Sequence, residues 1–457
     1  MIGNLHQLSL QPHHSLRCLS LRYGPLMLLY FGCTPVFIVS SADIAHDVMK
    51  THDLKCANRP KTKVVDKILS GGRDVAFSPY GEYWRQMKSI CIQNLLSNKM
   101  APSYEKIREE EIKLMIKKLE KAISSSSPLL VNLSQLLMTL TNDIIYRVAL
   151  GRKYSDPEDG IDVENIVSTF AAVLGEFPLG EYIPSLSWVD RIRGVDHKLE
   201  EVDKRFDDFL ERVVKEHEEA DKENRSDFVD KLLTIQRDNT GQFKLEKGAL
   251  KLIIWHMFLA GTATTLSFLE WTMTELIRHP KAMTKLQEEI RSSSQHDSYV
   301  TEKQVEKMNY LQAVIKEALW LRPPAPLLLP RVYSEDLRLK GYDIAAGTQV
   351  IINAWAIQRD TSTWGIDAEE FRPERHINSD LDFHRQDFKY IPFGSGKRIC
   401  PGIEFTSALI GVTLANIVKR FNWRMDVEPK SGHDDLTEVS GLVIFRRFPL
   451  IAIPSSA

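Results

Sequence analysis

Cysteine is scarce in these 457 residues: Cys18, Cys33, Cys56, Cys91 and Cys400 are five in number, widely scattered, with no C-x-x-C pair. That excludes a disulfide framework or a zinc knuckle and points to a reducing compartment. An excess of charge is missing too. With 59 basic residues against 61 acidic ones, the net charge is −2, and no whole-chain field attracts nucleic acid or an anionic membrane. Met1 runs into Ile-Gly-Asn-Leu-His-Gln-Leu without the basic start and long apolar run of a signal peptide or anchor. Repeats are absent, and low complexity is confined to the four serines at 124–127.

What the chain does have is apolar mass. At 43% hydrophobic residues it can bury a large core, in anything from one big domain to three small ones. The run Leu252–Leu269 carries no Asp, Glu, Lys or Arg and is long enough for a bilayer, but His256, Thr262, Thr264, Thr265 and Ser267 interrupt it. No basic cluster flanks it, so a core helix touching a cofactor is the better reading.

The remainder reads as helices with a little sheet. Leu26–Phe31 and Val36–Val39 predict short strands, followed by a helix capped by Ser41 near Asp43. Ser103–Ile123 predicts an amphipathic helix, broken at 124–128, and Gln135–Leu150 a second one ending at Gly151. Glu200–Glu223 predicts a long charged helix with a solvated face, and Leu337–Ile352 a small hairpin.

The most informative stretch is Pro392-Phe393-Gly394-Ser395-Gly396-Lys397-Arg398-Ile399-Cys400-Pro401-Gly402, followed by an apolar run from Phe405 to Ile417. A cysteine just before a helix N-terminus meets free amides and the positive dipole end, which favour the thiolate an iron ligand needs. The glycines permit tight turns that aim amides at the sulfur. Phe393 offers an apolar shield, and Arg398 can pair with a carboxylate.

This segment resembles the cytochrome P450 signature F-x-x-G-x-R-x-C-x-G at every defined position. Other elements are similar to plant family 71 members: the opening Gly-Asn-Leu-His-Gln-Leu, Tyr23-Gly24-Pro25-Leu26 and Ile183-Pro184-Ser185-Leu186. The resemblance implies a mainly α fold, a helical bundle around a buried haem with a small β-rich region. It implies one catalytic domain over 1–457, with a β-rich lobe at about 20–60 plus 337–355. It implies haem b held by Cys400 as axial ligand, and haem contacts from Trp84, Arg85, Arg331, Phe393, Arg398 and Gly402.

Ala260-Gly261-Thr262-Ala263-Thr264-Thr265 looks like the family's oxygen-binding groove. There Thr264 and Thr265 would relay protons, with Ala263 beside them. Substrate-facing positions carried over from the family are Val75, Ala76, Phe77, Phe258, Ala260, Gly261, Ala325, Leu327, Leu328, Leu442 and Val443. All but glycine are plainly apolar, which suggests a terpenoid, alkaloid or phenolic substrate.

The partners implied are O2, a lipophilic small molecule and NADPH-cytochrome P450 reductase, docked on a basic face of Lys88, Lys99 and Lys397. Location at the endoplasmic-reticulum membrane, facing the cytosol and as a monomer, follows from the same resemblance, with an anchoring helix expected ahead of this chain's start.

Two departures from the family stand out. Ala263 replaces the usual acid, so the expectation is slower proton delivery and less efficient oxygen activation. In the E-x-x-R motif Glu317 meets Trp320 instead of arginine, and Arg322 lies about 200° further round the helix. Glu317 then keeps only Arg375, from the segment Phe371-Arg372-Pro373-Glu374-Arg375-His376 that is similar to P-E-R-F. The expectation is an under-partnered buried acid, weak haem retention, and a higher melting temperature for Trp320→Arg. Three activities stay open: an NADPH-dependent monooxygenase, a reductase-independent haem-thiolate isomerase or dehydratase that Ala263 favours, and a non-catalytic haem-binding relative that Trp320 favours.

Overall fold

The structure, a computed structural model, describes residues 2–456 apart from 124–129, 155–168, 170–172, 174–177, 220–226, 239–243, 296, 384–386, 426–434 and 440. The serine break expected at 124–128 and the end of the charged helix at 220–223 lie outside the described residues.

The longer helices are α1 (Pro12–Tyr23), α2 (Glu82–Cys91), α3 (Glu105–Ile123), α4 (Leu133–Leu150) and α5 (Val195–Glu219). They continue with α6 (Phe228–Asp238), α7 (Lys247–Arg278), α8 (Pro280–Ser293), α9 (Asn309–Leu321) and α10 (Ile403–Arg420). One apolar cluster runs through α3 to α10.

At its centre is α7. It is long and apolar enough to cross a membrane by length and composition, and 78% of its most apolar window is buried inside the protein. A helix apolar on every side packs as a core rod. It crosses α4 closely because residue 261 has no side chain: a Cβ there would stand 2.7 Å from Ile145 Cδ1.

Local chemistry sets the ends. Asn132 accepts a hydrogen bond from the Gln135 N–H at 3.0 Å and so starts α4 two residues earlier than expected, and Gly151 closes it with φ at 72°. Ser41 sits at the start of the Ala42–His46 helix but donates to Asp43 Oδ1 at 2.6 Å and caps no amide.

The strands are β1 (Leu26–Phe31), β2 (Thr34–Val39), β3 (Val131–Asn132), β4 (Arg331–Val332), β5 (Leu337–Leu339), β6 (Tyr342–Ile344), β7 (Gln349–Ile352), β8 (Phe421–Met425), β9 (Glu438–Val439), β10 (Phe445–Arg446) and β11 (Ile451–Ser456). The main sheet has the order β1-β2-β7-β4. β2 runs parallel to β7, with Val36 opposite Gln349.

The hairpin expected over Leu337–Ile352 is therefore shorter. Only β5 and β6 pair, through a turn at Lys340 and Gly341 with positive φ at both, while β7 leaves to join β2. Successive residues of the sheet alternate between two apolar clusters, with Phe37, Val39 and Val350 on one face and Val36, Ile38 and Ile351 on the other. A sheet covered on both faces holds β4 and its Arg331 rigidly beside the Cys400 loop.

Candidate active site

The middle of α7 and the loop ahead of α10 line one cavity of about 610 Å³. Cys400 opens into it. The loop that presents the sulfur is tightly wound: Gly394 and Gly396 have φ of 69° and 74°. At Gly396 a Cβ would lie 2.3 Å from Met49 O and 2.6 Å from Asp53 Oδ2, so only glycine fits. The Cys400 N–H donates to Phe393 O at 3.0 Å, and the Gly402 N–H reaches back to Sγ at 3.4 Å. Phe393 packs edge-on to Phe383 at 5.1 Å and also lines the cavity.

Burial pushes the Cys400 thiol up, against the pull of the Gly402 N–H and the Lys88 charge. The helix start alone therefore does not keep the sulfur ionised. A cation bound to sulfur would do so.

Four cationic side chains line the same cavity: Arg59, Lys88, Arg331 and Arg398. Among the described residues only Arg331 forms an ion pair, with Asp53 Oδ1 at 2.9 Å, and it also donates to Ser395 O at 2.7 Å. Arg59 is held by the carbonyls of Ala76, Leu329 and Pro330. Arg398 donates to Ala57 O at 2.8 Å and to Ser78 O, and its buried Nη1 has no hydrogen-bond partner.

Burial and the Arg331 charge lower Arg398 to about 10, and burial with Arg398 lowers Lys88 to about 8. Arg59 is pushed well below its ordinary value by burial and by Arg331 and Arg398. Guanidinium does not give up its proton in proteins, so these shifts describe positive charge that Asp74 and Asp53 only partly offset. The wall is made for an anionic guest, and a group carrying two carboxylates together with a thiolate-binding metal fits it.

The sequence expectations for this wall need correction at α2. Arg85 points to solvent and pairs with Glu82, because it lies on the charged face of that helix. Lys88, expected on a docking face, turns inward one turn after Trp84 and donates to Lys397 O at 2.7 Å. Lys99 and Lys397 are exposed. Trp84 lines the cavity, but its one donor is used on Val75 O at 2.9 Å. Its ring lies 4.3 Å from the Arg398 guanidinium and 5.1 Å from Lys88 Nζ, an arrangement that softens their charge.

On the α7 side Ala260, Gly261, Ala263 and Thr264 line the cavity. Thr264 Oγ1 donates to Ala260 O at 2.6 Å, which loosens the helix where the cavity touches it. Thr265 is buried away from the cavity, since 100° of rotation separates it from Thr264, and it cannot act in the same relay.

Phe258 fails for the same reason: it packs edge-on to Tyr146 at 5.1 Å, and its neighbours Met257 and Leu259 face the cavity instead. Val75, Ala76, Phe77, Ala325, Leu328, Leu442 and Val443 all line it. Leu327 does not. The turn closed by the Leu328 N–H on Ala325 O directs those two inward and sends Leu327 to the sheet cluster.

A profile of the cytochrome P450 family matches residues 1–444. This chain is a cytochrome P450. Its relatives include cytochrome P450 71A20 of Arabidopsis thaliana, 83% identical over 457 residues, all of this chain and 92% of that protein. Indoleacetaldoxime dehydratase of the same plant is 58% identical over all of this chain and 91% of its own length. Among solved structures, a zebra fish cytochrome P450 with abiraterone superposes with a TM-score of 0.82 at 25% identity, covering 98% of this chain and 100% of that one. The chain belongs with the plant family 71 P450s, a monooxygenase class that binds haem b and draws electrons from NADPH through a reductase.

Against that background the Glu317 cluster departs from expectation. Glu317 is fully buried, yet it accepts from the Arg372 N–H at 2.5 Å and from Arg375 Nε at 3.2 Å, and His376 Nε2 lies 2.9 Å from its second oxygen. One oxygen of the acid holds both hydrogen bonds, while the second oxygen and the His376 ring nitrogens are buried in contact without an aligned hydrogen bond. His376 occupies the place of the phenylalanine in P-E-R-F and sets an imidazole against that second oxygen. Trp320, in the arginine's place, lies 4.6 Å from the Arg375 guanidinium and 5.2 Å from Trp364. Arg322 serves elsewhere, bridging Glu275 at 2.9 Å and Glu438 at 3.0 Å.

Sequence reasoning missed Arg59, Asp74 and His256. It had a signal for Lys88, which shares one face of an amphipathic helix with Trp84 and Cys91.

Proposed function

We propose that this P450 oxidises a lipophilic plant metabolite of the terpenoid or alkaloid class, by hydroxylation, desaturation or ring-forming oxidation, with Cys400 as the axial ligand. The single observation behind this reading is the juxtaposition of the Cys400 sulfur, an under-balanced cationic wall and an apolar chamber in one cavity. Arg59, Lys88, Arg331 and Arg398 would hold the propionates, and Gly402 N–H would tune the sulfur. Haem supplies the oxygen chemistry when bound, its thiolate favouring O–O cleavage.

The chain's own residues do the rest. Val75, Phe77, Leu328, Leu442 and Val443 exclude water and orient an apolar substrate. Thr264 holds its proton on Ala260 O and can redirect it into the cavity. Ala263 offers no titrating group, so proton supply there depends on Thr264 and water. Reduced, carbon monoxide-bound spectra, then NADPH and O2 consumption with a reductase across a panel of terpenoids and alkaloids, test the reading. Coupled product from one class supports it. A haem-loaded protein that consumes NADPH with none of them overturns it. Placement at the endoplasmic-reticulum membrane as a monomer is part of the same proposal.

A second reading has a specific observation in its favour. The 58% relative is named a dehydratase of an aldoxime, and loss of water from an aldoxime to a nitrile needs no acid at position 263 and no net electrons. Nitrile formed from an aldoxime without NADPH would select it. The Arg375–Glu317 ion pair counts against the non-catalytic reading, which rested on a Glu317 short of partners.

A further inference from the structure

One buried pair at the cavity wall, His256 lining it with Asp74 behind, has no task in the function proposed above. His256 lines the chamber from α7, two helical turns before Thr264, or about 12 Å along the axis. Its Nδ1 stands 3.3 Å from Asp74 Oδ1, a contact rather than an aligned hydrogen bond. The Asp74 side chain is fully buried. Oδ1 accepts from the N–H groups of Ala76 at 2.6 Å and Phe77 at 3.1 Å, while Oδ2 is buried with no hydrogen-bond partner.

Asp74 therefore does two things: it folds the turn that carries Val75, Ala76 and Phe77 into the chamber, and it backs the imidazole from behind the chamber wall. An anionic oxygen at Nδ1 favours the tautomer with the proton on Nδ1 and leaves the lone pair on Nε2. Burial lowers the His256 pKa, with Asp74 pulling the other way, which keeps the ring neutral. A neutral acceptor in a chamber lined mainly by apolar side chains is costly to leave unpaired and discriminates strongly between ligands that pair it and ligands that cannot.

We infer that His256, positioned by Asp74, is the polar anchor of the substrate chamber and accepts a hydrogen bond from a hydroxyl or N–H on an otherwise lipophilic substrate. The inference rests on the reading of this cavity as a substrate chamber over a haem. It makes His256 a specificity determinant, selecting molecules whose donor lies well away from the reacting carbon.

The test uses the holoenzyme and a series of N-(ω-hydroxyalkyl)imidazoles of increasing chain length, each beside its methyl ether. The imidazole end fixes every ligand at the iron, and absorption titration reads Kd. At one chain length the alcohol should bind about five-fold tighter than its ether, the yield of one net hydrogen bond. His256→Leu should abolish that preference, in part by tightening the ether, which no longer strands an acceptor, and His256→Gln, which keeps an acceptor, should retain part of it. Equal affinities at every length, or a preference that survives His256→Leu, overturn the anchor alone. Failure of every imidazole to shift the spectrum overturns the haem-chamber reading and the anchor with it.

Discussion

Two of this protein's clusters of buried charge differ in whether they balance. Around Glu317 one carboxylate meets Arg375, His376 and a backbone N–H, and Trp320 covers the Arg375 guanidinium. Around Cys400, Arg59, Lys88 and Arg398 face a cavity without a direct ion pair among the described residues, Asp74 and Asp53 offsetting their charge only from a distance. A buried cluster that closes on itself serves the fold. One that stays open toward a cavity marks where a guest completes it.

The largest expected effect separates the two directly. Glu317→Gln removes the buried carboxylate opposite Arg375, leaving that guanidinium two backbone carbonyls and a longer contact with Asp367, and should cost about 3–5 kcal/mol of unfolding free energy, equally in haem-free and haem-loaded protein. Arg398→Met should leave the haem-free protein within about 1 kcal/mol of the parent, and weaken haem retention by about 1.5–3 kcal/mol, the worth of a hydrogen bond to a charged group. Denaturant titration of both forms, with haem transfer to apomyoglobin, checks this. A Glu317 effect that vanishes in haem-free protein, or an Arg398 effect equal in both, would erase the distinction.

A smaller effect probes how the Glu317 cluster closed. Trp320→Arg removes a fully buried indole and adds a second guanidinium beside one acid, so it should lower stability by about 2 kcal/mol or more, the reverse of the sequence expectation. His376→Phe removes the group that stands in for the family's arginine. Made together, the two changes restore the family pattern, and the double variant should recover about 0.5–3 kcal/mol relative to the sum of the singles. Denaturation midpoints of the four proteins decide it: strict additivity would mean that Trp320 and His376 do not compensate.

The same contrast explains what the sequence could reveal. The Cys400 loop was legible because its chemistry is local, and α4 and α7 were legible from their apolar content. Which side of α7 faces the cavity was not, since a helix apolar all round carries no stripe to read. Phe258 and Thr265 were misplaced for that reason. On α2 the stripe does exist: Trp84, Lys88 and Cys91 share a face, while Arg85 and Glu82 share the opposite one, so the error there was avoidable. Arg59 and the Trp320–His376 exchange depend on residues far apart in the chain, and no local pattern announces them.

The smallest effect concerns another closed pair, at the far end of α5. His217 has its side chain 1% exposed, with Nδ1 2.7 Å from Val213 O and Nε2 3.0 Å from Asp227 Oδ2. Both ring nitrogens face acceptors, so only the doubly protonated imidazolium satisfies both. Burial alone would lower its pKa, but the Asp227 hydrogen bond and charge outweigh burial and raise it. A raised folded-state value means the stabilisation is complete below about pH 6.5, the unfolded imidazole value, and is lost as pH climbs through the folded one. Unfolding free energy should therefore decline across that range, and His217→Gln should flatten the slope rather than produce a large loss. Because the pair closes on itself, the slope should be the same with and without haem. A slope that His217→Gln leaves untouched would show that this imidazole is neutral, and that its contact with Asp227 is packing and not charge.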